Sequence, residues 1–200
     1  MMRLGVNVHG FSLPEVLVST FFVGFFGLML HEFHRTVLKS VRTQEEVAQA
    51  QLAARVAIEM ISHELRVSGY SGAGEPLVGL RVATPQRIDI QADLTGDGDT
   101  DDANEIVSYR YDSSREALMR ATGGAAPQPM VERVPAGLFT LRYRDQAGGE
   151  LTGDLDATAR GRVRTIEITL GVVCANTDPA LLTARVIVET GRVQLRNPAS

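Results

Sequence analysis

The first third of the chain has the apolar pattern of a long helix that begins in a membrane. Residues 11–30 contain twenty positions, of which Glu15 is the only charged one. At about 1.5 Å per residue, a helix of this length just crosses a hydrocarbon core of roughly 30 Å. A secretory signal peptide usually has a shorter apolar run and a small-residue cleavage site, whereas residues 31–35 read HEFHR. The pattern therefore predicts a retained transmembrane helix over residues 11–30.

Helical periodicity continues after residue 30, where apolar residues recur at intervals of three and four. These residues are Phe33, Val37, Val41, Val47, Ala50, Ala54, Ala57, Ile58, Ile61 and Leu65. Gly69 is suited to end the helix, because glycine adopts positive φ at little cost. We predict an amphipathic stalk helix over residues 31–68. Its alanine-rich second half favours packing on a sheet over pairing with a separate coiled-coil partner.

Beyond Gly69 the pattern changes to the period of two that is typical of strands. Strand-like stretches occupy residues 77–83, 87–91, 105–111, 116–121, 137–144, 164–173 and 183–189, and Gly, Asp, Asn and Pro separate them. No further long amphipathic helix is present in the sequence. The predicted fold class is α+β, with one long N-terminal helix packed on an antiparallel β-sheet in a globular domain over residues 69–200.

Composition narrows the possible partners. The formal net charge is -4 and the sequence pI is near 5.6, so the chain has no basic field for a phosphate backbone, and direct nucleic-acid binding is not predicted. Cys174 is the single cysteine, which excludes an internal disulfide. We predict that its thiol is a small core side chain.

Pro14 and Glu15 are unusual at the start of a membrane segment. Proline is tolerated in the first turn of a helix, where the N–H groups have no intrahelical partner. A carboxylate in hydrocarbon costs about 2.5–3.5 kcal/mol, but the first turn of a helix favours negative charge. A cut between Gly10 and Phe11 would place Pro14 in the opening turn and a new α-amino group one turn from Glu15.

These residues resemble the class III leader junction of type IV pilins and type II secretion pseudopilins. The sequence MMRLGVNVHG, residues 1–10, is similar to a leader peptide, and FSLPEVLV follows it. The resemblance implies cleavage after Gly10 by a prepilin peptidase, N-methylation of Phe11, and insertion of the helix into a growing fibre. It also implies that Glu15 pairs with the N-terminal amine of a neighbouring subunit during assembly.

Three further blocks resemble PilW-type minor pilins and their relative, pseudopilin J. They are ARVAIEMISHELRVSGYSG, EIVSYRYDSSREALMRAT and the terminal VQLRN. The resemblance implies a minor pilin in type IV pilus initiation, with other minor and major pilins, the prepilin peptidase and the inner-membrane assembly platform as partners. It also implies a single-pass protein of the bacterial inner membrane, with its domain in the periplasm and later in the fibre. A type II secretion minor pseudopilin is one alternative, and a singly anchored enzyme or binding domain is another.

No catalytic site is predicted. The stretch GYSGA around Ser71 departs from a nucleophile elbow, because a helix precedes it and no histidine follows His63. His31, Glu32 and His34 directly follow the apolar run and lack a third imidazole or thiol, so they form a weak candidate metal site.

One acidic segment is a candidate calcium site. Residues 93–105, DLTGDGDTDDANE, resemble the first nine positions of an EF-hand loop, with Gly98 at the sharp turn. The candidate oxygen ligands are Asp93, Thr95, Asp97, Asp99, Asp101 and Glu105. Asn104 occupies the twelfth position, where an acid is expected, and Glu105 comes one residue later. A solvated Asp- and Gly-rich turn between strands remains the alternative.

Overall fold

The computed structural model describes residues 12–72, 74, 77–174 and 185–196. The chain divides into two compact units, Met1–Gln44 and Glu45–Ser200. Helix α1, Leu13–Val67, includes residues of both units. The helix predicted over residues 11–68 is thus confirmed from residue 13 onward. Gly69 follows its C-terminus with φ of 75°, as the predicted glycine stop requires.

Two antiparallel sheets form the second unit together with the C-terminal part of α1. The first sheet contains β1 (Leu80–Thr84), β2 (Arg87–Gln91), β3 (Ile106–Asp112), β4 (Ala117–Thr122) and β5 (Gln128–Glu132), in the order β1-β2-β3-β4-β5. The second contains β6 (Phe139–Arg144), β7 (Glu150–Leu151), β8 (Thr165–Val173) and β9 (Val186–Gln194), in the order β7-β6-β8-β9. A short helix, α2 (Ala157–Arg162), precedes β8. The α+β class is confirmed, although the strands form two sheets where one was expected.

The C-terminal part of α1 packs closely on the sheets because its inner face is built from small and branched residues. Ala50, Ala54, Ala57, Ile58, Ile61, Ser62 and Leu65 are buried there. A Cβ added to Gly191 of β9 would lie 2.4 Å from Cγ2 of Ile58, so the helix approaches this strand at van der Waals distance. One core thus joins the helix to both sheets.

The two sheets are also joined by hydrogen bonds that involve polar groups of the core. The buried Tyr143 of β6 donates its hydroxyl to the carbonyl of Thr84 in β1 at 2.8 Å. The backbone N–H of Leu141 donates to the carbonyl of Pro85 at 2.8 Å. Cys174 is 5% exposed and belongs to the core, which confirms its predicted role.

Three elements were not predicted, and each has a local reason. Strand β5 contains Pro129, which argues against a strand, but β5 lies at the edge of its sheet, where proline is tolerated. Strand β7 is two residues long. Helix α2 has only six residues, too few for a hydrophobic period, and it begins at an N-cap where Oδ1 of Asp156 accepts from the N–H of Ala159 at 2.7 Å.

Candidate functional site

The first turn of α1 holds the predicted assembly residue, Glu15, in a local hydrogen-bonded cap. Its Oε2 accepts from the backbone N–H of Ser12 at 2.9 Å and from the Ser12 hydroxyl at 3.0 Å. The Ser12 carbonyl accepts from the N–H of Val16 at 3.2 Å, which begins the helical ladder. Glu15 lies three residues after the N-cap residue Ser12 and accepts from its backbone N–H. This bond is one of the two that make up a capping box. The pattern Ser-x-x-Glu at residues 12–15 is the sequence signal of this cap.

The cap leaves part of Glu15 available for another group. Glu15 is exposed, and within the described residues its Oε1 accepts no hydrogen bond. An ionised carboxylate can accept through both oxygens, so Oε1 can receive a cation while Oε2 keeps its bonds to Ser12. Pro14 lies in the first turn, as predicted. Gly10 and Phe11 lie outside the described residues, and cleavage between them stays a prediction.

The surface that follows Glu15 is apolar and solvent-exposed over several turns. By length and composition, an 18-residue stretch of α1 is apolar enough to cross a membrane, and none of it is buried. Leu13, Val23, Leu28 and Leu30 are each about 70% exposed. Monomeric soluble proteins rarely expose contiguous apolar surface on this scale. The segment is consistent with single-pass membrane anchoring.

Phenylalanines concentrate on one side of this segment. The rings of Phe21 and Phe25 stack with centroids 6.3 Å apart, and those of Phe22 and Phe26 stack at the same distance. These pairs are four residues apart, so both follow the helical repeat. Helix geometry places Glu15 on the side that carries Phe22 and Phe26.

The polar residues after the apolar run lie on the exposed surface of α1. Glu32 forms an ion pair with Arg35, with Oε1 3.4 Å from Nη1. His31 and His34 are exposed on the same turns. Among the residues that the structure describes, no group of three His, Cys, Asp or Glu side chains is arranged to hold a metal ion.

Glu105 is the organising residue of the acidic loop. It is 1% exposed, and its Oε1 accepts from the N–H of Leu94 at 2.8 Å, the N–H of Thr95 at 3.0 Å and the Thr95 hydroxyl at 3.1 Å. Its Oε2 accepts from the N–H of Asp102 at 3.3 Å. These bonds, the one from the Thr95 N–H first, lower the pKa of Glu105 although desolvation opposes them. Glu105 therefore holds the two ends of the loop together as an anion.

Three further acids of the loop accept hydrogen bonds from its own backbone. Oδ1 of Asp93 accepts from the N–H of Gly96 at 2.6 Å, and Asp97 and Asp99 each accept from the N–H two residues later at 3.2 Å. A hydrogen bond to Asp99, together with repulsion from neighbouring carboxylates, raises the pKa of Asp101. Calcium binding stays a prediction, and it requires the exposed side chains of Asp97, Asp99 and Asp101 to turn toward the buried Asp93.

A polar cluster between α1 and the first sheet was not predicted. Glu64 of α1 accepts from the Tyr109 hydroxyl through Oε2 and from Nη2 of Arg120 through Oε1, the latter at 2.6 Å. Nε of Arg120 donates to the Tyr109 hydroxyl at 3.3 Å, which closes the cycle. Burial, and then the contact with Glu64, raises the pKa of Tyr109, so the phenol keeps its proton. The cluster fixes the last turns of α1 on β3 and β4.

Ser71 has the surroundings of a turn residue. It follows the end of α1 and forms an isolated parallel bridge with Asp93. A nucleophile elbow instead places its serine between a strand and a helix. The geometry at Ser71 is thus that of a loop held against the acidic segment.

A scan against protein-family models and a search of curated proteins both find no match to this chain. Among solved structures, the chain is similar to the type IV-like pilin TTHA1219 from Thermus thermophilus, with 16% sequence identity and a TM-score of 0.46. The alignment covers 78% of this chain and 97% of that chain.

Proposed function

We propose that the chain is a membrane-anchored minor pilin of the PilW type, which takes part in the initiation of type IV pilus assembly. The observation that carries the proposal is Glu15, an acid in the first turn of an exposed apolar helix and five residues into the chain that begins at Phe11. A carboxylate at membrane depth costs about 2.5–3.5 kcal/mol unless a partner compensates it. The N-terminal amine of a neighbouring subunit is such a partner.

Processing comes first in the proposed sequence of events. The prepilin peptidase removes residues 1–10 by cutting after Gly10, and Phe11 becomes the N-methylated terminus. Before assembly, the bonds from Ser12 satisfy Oε2 of Glu15. During assembly, the neighbour's amine binds the carboxylate, and a charge-assisted bond replaces the contact with solvent or lipid.

The proposed partners are the other minor pilins, the major pilin and the inner-membrane assembly platform. The apolar surface of α1 first lies in the inner membrane and then packs on neighbouring helices in the fibre. The second unit lies in the periplasm before assembly. The role of the chain is structural, and no step of it requires catalysis by this protein.

Two variants of the first turn test the proposal. Glu15→Gln keeps an oxygen that can accept from Ser12 but removes the charge, whereas Ser12→Ala removes the hydroxyl donor and keeps the charge. We expect Glu15→Gln to lower incorporation into purified pili by at least about tenfold, because a hydrogen bond to a charged group contributes about 1.5–3 kcal/mol. Ser12→Ala should incorporate at nearly the wild-type level. Immunoblots of sheared pili, normalised to membrane content, give the measurement.

Other results would redirect the proposal. If both variants were incorporated at the wild-type level, the charge would have no assembly role in this subunit. Co-purification with type II secretion pseudopilins instead of pilins would assign the chain to the alternative machine. Loss of incorporation in Ser12→Ala alone would make Glu15 a helix cap and nothing more.

A further inference from the structure

A cavity of about 440 Å³ opens in the second unit where the last turns of α1 meet the first sheet and the acidic loop. Its apolar lining includes Val67 of α1, Ile90 of β2, Leu94 of the loop and Val107 of β3. Ile90 and Val107 are buried, whereas Leu94 is 49% exposed at the mouth. The volume lies within the range of about 300–1,000 Å³ that is usual for ligand pockets.

The polar end of the cavity offers hydrogen-bond donors. Arg120 lines it and uses two of its N–H groups, one on Nη2 for Glu64 and one on Nε for the Tyr109 hydroxyl. A guanidinium has five N–H groups, so the other three have no partner among the described residues. Both oxygens of Glu64 and both of Glu105 already accept hydrogen bonds.

The carboxylates around the cavity disfavour an anionic ligand. Glu64 compensates the charge of Arg120, and Glu105 adds a further negative charge to the lining. These charges favour a neutral acceptor, such as a backbone carbonyl, as the group that meets the free N–H groups of Arg120. An apolar side chain next to that carbonyl would fill the remaining volume.

The loop that borders the cavity is acidic. Thr100 of the acidic loop donates to Oε1 of Gln91, and the N–H of Asp102 donates to Glu105; both acceptors belong to residues that line the cavity. The carboxylates of residues 97, 99, 101 and 102 are exposed beside these anchor points. Their common sign produces a field that attracts basic side chains.

We propose that this cavity binds an apolar side chain of a partner polypeptide, with the adjacent backbone carbonyl accepting from Arg120 and flanking Lys or Arg residues facing the acidic loop. The apolar anchor supplies most of the affinity, and the basic residues select the partner. This inference goes beyond the proposed function, because it depends neither on Glu15 nor on the membrane segment.

Three short peptides test it with the full chain in detergent micelles. The probe is acetyl-Gly-Lys-Leu-Lys-Gly-amide; one control replaces Leu by Ser, and a second replaces both Lys by Glu. Backbone amide shifts of ¹⁵N-labelled protein report the site. We expect the probe to shift the amides of Ala92, Leu94 and Glu105 with saturation. The Ser peptide should bind at least about tenfold more weakly, because it lacks a buried apolar side chain. The Glu peptide keeps the Leu anchor but should also bind more weakly than the probe, and this loss should be largest at low salt.

Matched variants locate the site. Leu94→Ser removes an exposed wall of the cavity, and Leu52→Ser makes the same change at a residue that is 63% exposed on α1 and does not line the cavity. We expect at least about tenfold weaker binding for Leu94→Ser and unchanged binding for Leu52→Ser, with melting temperatures that verify folding. Equal affinity for the Leu and Ser peptides, shifts confined to other surfaces, or wild-type affinity in Leu94→Ser would overturn the proposal.

Discussion

The two halves of helix α1 have the same helical period but bury very different amounts of surface. Residues 13–44 present bulky side chains such as Phe21 and Leu28, which are 68% and 70% exposed. Residues 45–67 place Ala54 and Ile61 in the core at 0% exposed. The difference lies in side-chain size, because alanines let a sheet approach the helix, whereas large residues around a helix suit lipid or other helices.

One continuous helix is thus under two kinds of constraint. In the second half, each buried side chain contributes to the stability of a folded domain. In the first half, exposed apolar residues contribute little to that stability. Their free energy depends instead on whether water, lipid or another helix surrounds them. Substitutions of one chemical type at both places measure this difference.

The largest effect is expected from truncation of the buried half. Ile61→Ala should lower the free energy of unfolding by about 2–5 kcal/mol, since it removes a fully buried side chain and leaves a cavity. Leu28→Ala makes a similar truncation in the exposed half and should change it by no more than about 0.5 kcal/mol. Denaturant titrations of the full chain in detergent, followed by the circular dichroism of the domain, give both values. Similar losses for the two variants would contradict the comparison.

The next effect sharpens the comparison within the second half of the helix. Glu64 is 19% exposed and bonds to Tyr109 and Arg120, whereas Glu59 is 66% exposed and pairs with Arg55. Glu64→Ala should lower the free energy of unfolding by about 2–3 kcal/mol, because it leaves two donors without their charged partner. Glu59→Ala should cost about 0.5 kcal/mol or less. The same titrations apply, and equal costs would mean that the polar cluster does not fix the helix.

A smaller effect concerns pH and involves the domain alone. The pKa of Glu105 is lowered in the folded state from its usual 4.5, so its stabilisation is present above about that pH and is lost as the pH falls through the folded value. Glu105→Gln should lower the melting temperature at neutral pH. It should also make the melting temperature decrease less as the pH is lowered.

Asp101→Asn is the control with the opposite sign. The pKa of Asp101 is raised above its usual 3.8, so repulsion acts at neutral pH and disappears as the carboxylate takes up a proton. Asp101→Asn should therefore raise the melting temperature at neutral pH and lose that advantage in acid. A Glu105→Gln variant as stable as the wild type at neutral pH would refute the role of Glu105 in the loop.

The smallest expected effect is that of calcium, which should act on the domain and leave the exposed half of α1 unchanged. With a dissociation constant of about 10⁻⁴–10⁻³ M, millimolar calcium would stabilise the fold by roughly 0.5–1.5 kcal/mol. Calcium should raise the melting temperature more than magnesium does, because its coordination geometry is more flexible. Asp97→Ala should abolish the difference. Equal melting temperatures in chelator, calcium and magnesium would leave the loop as a solvated acidic turn.

The local pattern predicted those parts of the fold that depend on local periods. The helix, its end at Gly69 and most strands follow from periods of 3.6 and two. Strand β9 extends through Gly191, although a local pattern predicts that a strand ends at a glycine. Glycine is needed there because Ile58 of the helix occupies the space that a side chain at position 191 would fill. That contact joins residues 133 positions apart (191 - 58) and is absent from any local period.

The candidate sites also differ in whether a local pattern or a long-range contact forms them. Glu15 was identified from a short motif within one turn of helix. The cluster around Glu64 joins it to Tyr109 and Arg120, which lie 45 and 56 positions later in the chain. Only the arrangement of the sheets brings them together, so no local pattern predicts either the cluster or the cavity beside it.

The most direct measurement of the central claim is the intact mass of the full chain extracted from membranes of a host with a prepilin peptidase. In the proposed assembly, Glu15 pairs with the N-terminal amine of a neighbouring subunit, and cleavage after Gly10 gives this chain its own free terminus at Phe11. The predicted mass is that of residues 11–200 plus one methyl group. A protein that retains Met1 or Met2 at its N-terminus would contradict the proposal that this chain is a processed pilin.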